Sequence, residues 1–164
     1  MEPVVNAFTV KYNGRIVNQL MTQISIHCEG KSFVTNALWD TGATGTCISS
    51  NVVHNLSLIP TGITNIRTPS GQSERKTYLI DLTLPNNVRI NGVKAIDSEI
   101  GDQGLDVLIG MDIMSMGDFS VCNKNETIFT FRIPAVGKTD YVEDINKQKL
   151  IGTHGKGKRK HKKK

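Results

Sequence analysis

Apolar residues recur along this chain mostly at every second position, in short runs separated by glycine, asparagine, proline and serine. A period of two places successive side chains on opposite faces, which predicts strands with one buried face. The clearest run is residues 21–27, with Ile24 and Ile26 on one face. The turn Glu29-Gly30-Lys31-Ser32 leads into a second run, residues 33–39. Residues 63–68 and 74–84 flank Pro69-Ser70-Gly71 and predict a long hairpin with a polar tip. After the break at Pro85-Asn86-Asn87, residues 88–96 add a strand, with Asn91-Gly92 as a further turn signal. Residues 105–109 form a short buried strand ending at Gly110, and residues 119–122 with 127–133 a closing hairpin. Near the N-terminus, residues 7–12 and 16–20 flank Asn13-Gly14, a dipeptide that favours type I′ hairpin turns.

Helical signals occur in two places. Ser49 or Ser50 can cap a helix reaching about Leu56 and ending before Pro60. Residues 111–116 suit one or two turns, stopped by Gly117. Many short strands with two short helices predict a mostly β chain, barrel-like or orthogonally packed. From about Gly137 the periodicity fades, and the remainder is expected to be a linker and a disordered, lysine-rich tail.

Charge sharpens that division. The chain carries +5 overall, yet residues 154–164 hold seven Lys/Arg and no acid, leaving 13 basic and 15 acidic residues, a balance of −2, in residues 1–153. A near-neutral domain with a basic tail follows, and 164 residues suffice for one core. Three cysteines without C-x-x-C spacing argue against a disulfide framework. The first residues lack the basic start and apolar core of a secretory signal. No run approaches the roughly 18–20 apolar residues of a membrane span. A soluble protein of a reducing, cytoplasmic compartment is the expectation. His27 and His54 lie far apart without a carboxylate pattern around them, so they argue for neither a metal nor a catalytic triad.

The candidate chemistry sits where Ala37-Leu38-Trp39 delivers Asp40 into Thr41-Gly42-Ala43-Thr44. A carboxylate at the end of a buried strand is costly to ionise unless donors hold it. Thr41 offers a hydroxyl, Gly42 permits a tight turn with an exposed N–H, and Ala43 keeps the approach open. The strand–turn–acid pattern returns once, as Leu108-Ile109-Gly110-Met111-Asp112. Two carboxyl groups within about 3 Å share one proton, so one can activate water while the other polarises a carbonyl. Only one Asp-Thr-Gly is present, so a second acid of that kind has to come from a second chain across a two-fold axis.

Residues 37–50, the hairpin around Thr68-Pro69-Ser70-Gly71, and Val107-Leu108-Ile109-Gly110-Met111-Asp112 follow one another in the order and spacing of retropepsins. Over about residues 23–134 the chain resembles these retroviral-type aspartic proteases, and most of all their bacterial and cellular relatives. The resemblance implies a mostly β acid-protease barrel with a flap hairpin and two short helices. It implies a domain at residues 23–134, an N-terminal hairpin extension at 1–22, and a linker and tail at 135–164. It also implies a homodimer, with one Asp40 per subunit, that hydrolyses extended peptides through an activated water without metal or cofactor. Asp40 would be the catalytic acid, Thr41 would brace the pair of acids across the dimer, and Gly42 and Ala43 would support the site. Thr68, Pro69, Ser70, Gly71 and Gln72 would form the flap, and Gly110 and Asp112 would be structural.

The chain also departs from the family. Thr44-Gly45 stand where retroviral enzymes often carry further acids, and the flap tip holds one glycine rather than several. The added terminal segments would enlarge or replace the usual dimer sheet. The tail resembles a degenerate SEC-C-type zinc knuckle whose ligand cysteines are missing. Its positive charge would draw nucleic acid or an acidic partner weakly and in a salt-dependent way. Two alternatives therefore stand beside proteolysis: a catalytically silent dimeric peptide-binding module, and a nucleic-acid-associated protein acting through the tail.

Overall fold

The computed structural model describes residues 4–68 and 71–154. Among the described residues ten strands fall into two sheets. Strand β2 (Leu20–Cys28) buries Thr22, Ile24 and Ile26 at alternate positions, as the two-residue period predicts. Glu29 and Gly30 turn the chain at positive φ (47° and 78°) into β3 (Lys31–Trp39), which pairs antiparallel with β2. The chain continues through β4 (Cys47–Ile48), helix α1 (Ser50–Leu56), β5 (Gly62–Thr68), β6 (Gly71–Thr83), β7 (Arg89–Asp97) and a 3₁₀ turn (Glu99–Gln103). Next come β8 (Val107–Ile109), helix α2 (Met111–Met114), β9 (Asp118–Cys122) and β10 (Ile128–Ile133).

The larger sheet runs β2-β3-β8-β4-β7-β6-β5, and Ser25 to His27 of β2 also pair with Thr83 to Asp81 of β6. That contact closes six strands into a barrel and leaves β5 outside it. Residues 71–76 of β6 pair only with β5, so the outer part of the long hairpin that the sequence predicts projects from the barrel. Pro69 and Ser70 lie outside the described residues. Helix α1 starts where expected, with Ser49 Oγ accepting from Val52 N–H, and ends on Ser57 in the left-handed region.

Several sequence expectations need correction. Residues 16–20 do not return as the second arm of an N-terminal hairpin. Asn13 and Gly14 do turn at positive φ, but β1 (Asn6–Lys11) pairs with β10 in a separate sheet, β1-β10-β9. Thr127 exchanges backbone bonds with Tyr12 and Arg15, and Phe8 packs on Trp39, Phe129 and Phe131, so long-range pairing overrides the local turn signal. Asn91-Gly92 makes no hairpin turn; it lies within β7 at the register shift opposite residues 80–82, where Asp81 accepts from Gly92 N–H. Residues 141–154 are not a linker but a third helix, α3 (Tyr141–His154). Asp140 Oδ1 accepts from Val142 and Glu143 N–H, acids occupy the first turn, and Glu143 pairs with Lys147. Local capping and charge thus form a helix whose faces carry no apolar stripe. The basic tail from residue 155 on, with its SEC-C-like resemblance, lies outside the described residues.

Candidate active site

The two strand–turn–acid segments lie side by side. β3 and β8 run parallel with Ala37, Leu38 and Trp39 opposite Val107, Leu108 and Ile109. Asp40 N–H donates to Ile109 O at 3.0 Å, so both strands end at one level. Trp39 anchors the first: its indole N–H donates to Thr22 Oγ1 at 2.8 Å, and its ring meets Phe129 and Phe131 at centroid distances of 5.1 and 5.0 Å. Core packing is what this tryptophan supplies beside the acid.

Beyond Trp39 the chain comes to the surface. Asp40 is half-buried, and Thr41 and Gly42 are exposed. One carboxylate oxygen, Oδ1, accepts from Gly42 N–H at 2.8 Å, while Ala43 N–H closes the turn onto Asp40 O at 3.2 Å. A Cβ on Gly42 would stand 3.1 Å from Asp40 Oδ1, so glycine leaves room for the carboxylate. Among the described residues Gly42 is the one donor to this carboxylate, and the Thr41 hydroxyl makes no hydrogen bond. The surroundings are therefore more open than a fully donor-lined pocket. A depression of about 340 Å³ lies beside the turn, between residues 18–20 and 38–41.

The second segment braces the first. Met111 N–H donates to Ala43 O at 2.8 Å and Asp112 N–H to Thr44 O at 3.2 Å. The Asp112 carboxylate accepts from Thr46 N–H and Thr46 Oγ1, both at 2.9 Å. Gly110 lies so close to Gly45 that a Cβ would meet its carbonyl at 2.6 Å. Gly110 and Asp112 thus hold the loop that follows Asp40. Thr68, Gly71 and Gln72 belong to the projecting hairpin, where Thr68 faces Gly71 and Arg67 faces Gln72.

Two supporting residues escaped the sequence reading. Thr46 is fully buried and joins Asp112 to Gly110, whose N–H points at its hydroxyl. Asp106 accepts from Thr35 Oγ1, Ser49 Oγ and Asn51 Nδ2, tying β3 and the start of α1 to the segment before β8. Burial pushes the Asp106 carboxyl up, but the bonds from Asn51, Ser49 and Thr35 outweigh it and hold the group below its ordinary range. The signal was available, since an acid between Leu105 and Val107 in a buried run demands partners. Cys47 stays a poor nucleophile, because burial raises its thiol, as do the charges of Asp112 and Asp40. Among the described residues no group of three or more His, Cys, Asp or Glu could hold a metal.

The sequence profile of a family described as gag-polyprotein putative aspartyl protease matches residues 24–116. The chain belongs to that family. Among solved structures, this aspartyl protease family member is similar to a retropepsin-like aspartic protease from Rickettsia conorii, at 12% identity and a TM-score of 0.50, over 80% of this chain and 98% of that one. The fold is accordingly retropepsin-like and mostly β. The protease of simian foamy virus (mac) aligns at 18% identity and a TM-score of 0.39, over 56% of this chain and 89% of that one. The retroviral protease-like domain of Ddi1 from Leishmania major aligns at 10% identity and a TM-score of 0.39, over 66% and 93%. No curated protein matches the sequence. No helix among the described residues is long and apolar enough to cross a membrane.

Proposed function

We propose that this chain is an aspartic endopeptidase, working as a homodimer in which each subunit contributes Asp40. The observation that carries the reading is the Asp40 turn itself. The buried end of β3, locked against β8, presents a carboxylate with one oxygen held by Gly42 N–H, in an open depression. Two such turns across a two-fold axis would share one proton between them. The ionised Asp40 would take a proton from the water trapped between the pair as that water attacks the scissile carbonyl. The protonated Asp40 would donate to the carbonyl oxygen, and the tetrahedral diol would collapse with proton transfer to the leaving amine. The exposed Thr41 hydroxyl is free to brace the opposite turn.

The projecting hairpin would serve as the flap. Thr68, Gly71 and Gln72 would cover an extended peptide and exclude water from the site. Residues 23–134 with β1 form the catalytic unit in this reading. Free Cys28, Cys47 and Cys122 fit a reducing cytoplasm. The test is a peptide library incubated at acidic and neutral pH with the wild type and with Asp40→Asn. The isosteric amide cannot move the proton, so cleavage should fall by about 10²–10⁴-fold or more. Undiminished cleavage by Asp40→Asn would refute the mechanism, and retained peptide affinity without wild-type turnover would favour a silent binding module.

A further inference from the structure

We infer that Arg75, on the projecting hairpin, is a specificity-determining residue that takes an acidic side chain of the peptide in place of Glu99. This rests on the proteolytic reading, with the hairpin as its flap, and gives that reading a substrate class: peptides carrying Glu or Asp at a position beneath the hairpin.

The hairpin has two unlike faces. Directly opposed residues of an antiparallel pair share a face, so Ile66 with Ser73 and Thr64 with Arg75 lie on one of them. All four are half-buried, whereas Ile63, Asn65, Arg67, Gln72, Glu74 and Lys76 on the other face are exposed. The half-buried face is therefore the one turned toward the body of the protein. Thr77 continues it beyond Arg75, opposite Ile96 of β7, and a Cβ on Gly45 would stand 3.3 Å from Ile96 Cδ1. Gly45 belongs to the loop after Asp40, so Arg75 sits on the side of the hairpin that looks toward the candidate site. Among these four residues Arg75 carries the one charge.

The hold that Glu99 has on it is weak. Arg75 Nη1 meets Glu99 Oε1 at 2.8 Å, and Arg75 Nε donates to Ser73 Oγ at 3.3 Å. The arginine side chain is 25% exposed, but that of Glu99 is 76% exposed. An ion pair with one partner so open to water contributes little. A peptide laid under the hairpin would take further water from Arg75, and a guanidinium shut away from water needs a carboxylate. Its planar fork suits one. Glu99 stands on the 3₁₀ turn, where a Cβ on Gly101 would lie 3.5 Å from Ser49 Cβ, so the pair bridges the hairpin and the turn packed beside α1. Residues 41–73, which hold the loop after Asp40, α1 and β5, contain no acid to repel such a side chain. An acidic residue on the peptide can thus replace Glu99 without leaving Arg75 unpaired.

The test uses pairs of peptides that differ only by Glu against Gln at one position, with that position scanned along the peptide. At one position or more the wild type should cleave the Glu peptide with kcat/KM about tenfold above the Gln peptide. Arg75→Gln should bring that ratio to about one, and Arg75→Lys should keep part of it, since the charge remains and the fork is lost. Glu99→Gln should raise the ratio by about two- to fivefold, because Arg75 loses its competitor. If the ion pair only props the hairpin, loosening it shifts both peptides of a pair alike and the ratio stays put. A ratio unmoved by Arg75→Gln, one lowered by Glu99→Gln, or no preference at any position overturns the assignment. Fluorescence anisotropy of the same peptides on Asp40→Asn separates this from the proteolytic reading. Preferred binding of the Glu peptides, with no turnover by the wild type, keeps the role of Arg75 and removes proteolysis. Turnover without the preference removes the role of Arg75 and keeps proteolysis.

Discussion

Gly110→Ala would measure how tightly the Asp40 turn is held. Gly110 has φ −94° and ψ −174°, extended backbone that alanine adopts freely, so any cost comes from contact. The new Cβ would stand 2.6 Å from both the carbonyl carbon and oxygen of Gly45 and 3.0 Å from Ala43 O. Carbon contacts settle near 3.5–4.0 Å, so the two segments would have to part by about 1 Å. The bonds Met111 N–H to Ala43 O (2.8 Å) and Asp112 N–H to Thr44 O (3.2 Å) span the same gap. Opening by about 1 Å takes both out of bonding range. Two backbone bonds at about 1 kcal/mol each, with overpacking of about 1–3 kcal/mol, give a loss of about 3–5 kcal/mol. For a domain of this size that lowers Tm by at least about 6 °C. Thermal unfolding followed by circular dichroism reads it directly. If Asp40 is catalytic, kcat measured below the unfolding transition should fall by about 10²-fold, since a 1 Å misplacement costs that much. A Tm drop under about 2 °C would show that the segments slide apart freely, and the bracing argument would fail.

Asp112→Ala strands the N–H and hydroxyl of the fully buried Thr46, which should cost about 2–4 kcal/mol in urea unfolding. Asp112→Asn should recover part of that, because its amide oxygen still accepts one bond; equal losses from both variants would argue against this reading. The third prediction concerns acid. Asp81 is held below the ordinary carboxylate range, first by Gly92 N–H and then by Arg89, against an unfolded value of about 3.9. A depressed folded pKa stabilises the fold above the unfolded value, and that stabilisation disappears as pH falls through the folded value. Asp81→Asn should therefore flatten the fall in Tm between about pH 5 and pH 2, and parallel Tm profiles for variant and wild type would refute the assignment.

Local patterns carried most of the barrel. The alternation in residues 21–27 and 33–39, the Glu29-Gly30 turn, the Ser49 cap and the long hairpin all depend on neighbours in sequence, and all are present. The misreadings share a cause in tertiary context. Asn13-Gly14 turns the chain as its residues prefer, but β10 competes for β1 and wins, because Phe8 gains a place against Trp39, Phe129 and Phe131. Asn91-Gly92 becomes a bulge because Asp81 and a continuous ladder hold it within β7. α3 was missed for the opposite reason: its signals are capping and charge, and a search for apolar stripes passes over them. At the site, Asp40, Gly42, Gly110 and Asp112 were legible as motifs, whereas Thr46 and Asp106 act through bonds between segments more than 50 residues apart.

The repeated strand–turn–acid pattern also bears on whether one chain could supply both acids of the proposed mechanism. β3 and β8 are parallel neighbours, so a pair of acids could in principle come from Asp40 and Asp112 together. The geometry of Asp112 argues against that. Both of its oxygens accept from Thr46, and its Oδ1 also accepts from Ile113 N–H, which leaves it binding the loop rather than facing Asp40. Asp40 is the reverse case: one oxygen is held by Gly42 and the turn opens outward. One copy of the pattern thus supplies rigidity and the other presents a carboxylate. A mechanism that needs two carboxylates sharing a proton cannot draw the second from Asp112 without dismantling the loop that positions the first. The second Asp40 must then arrive with a second chain, which makes the oligomeric state the property on which the proteolytic reading stands or falls.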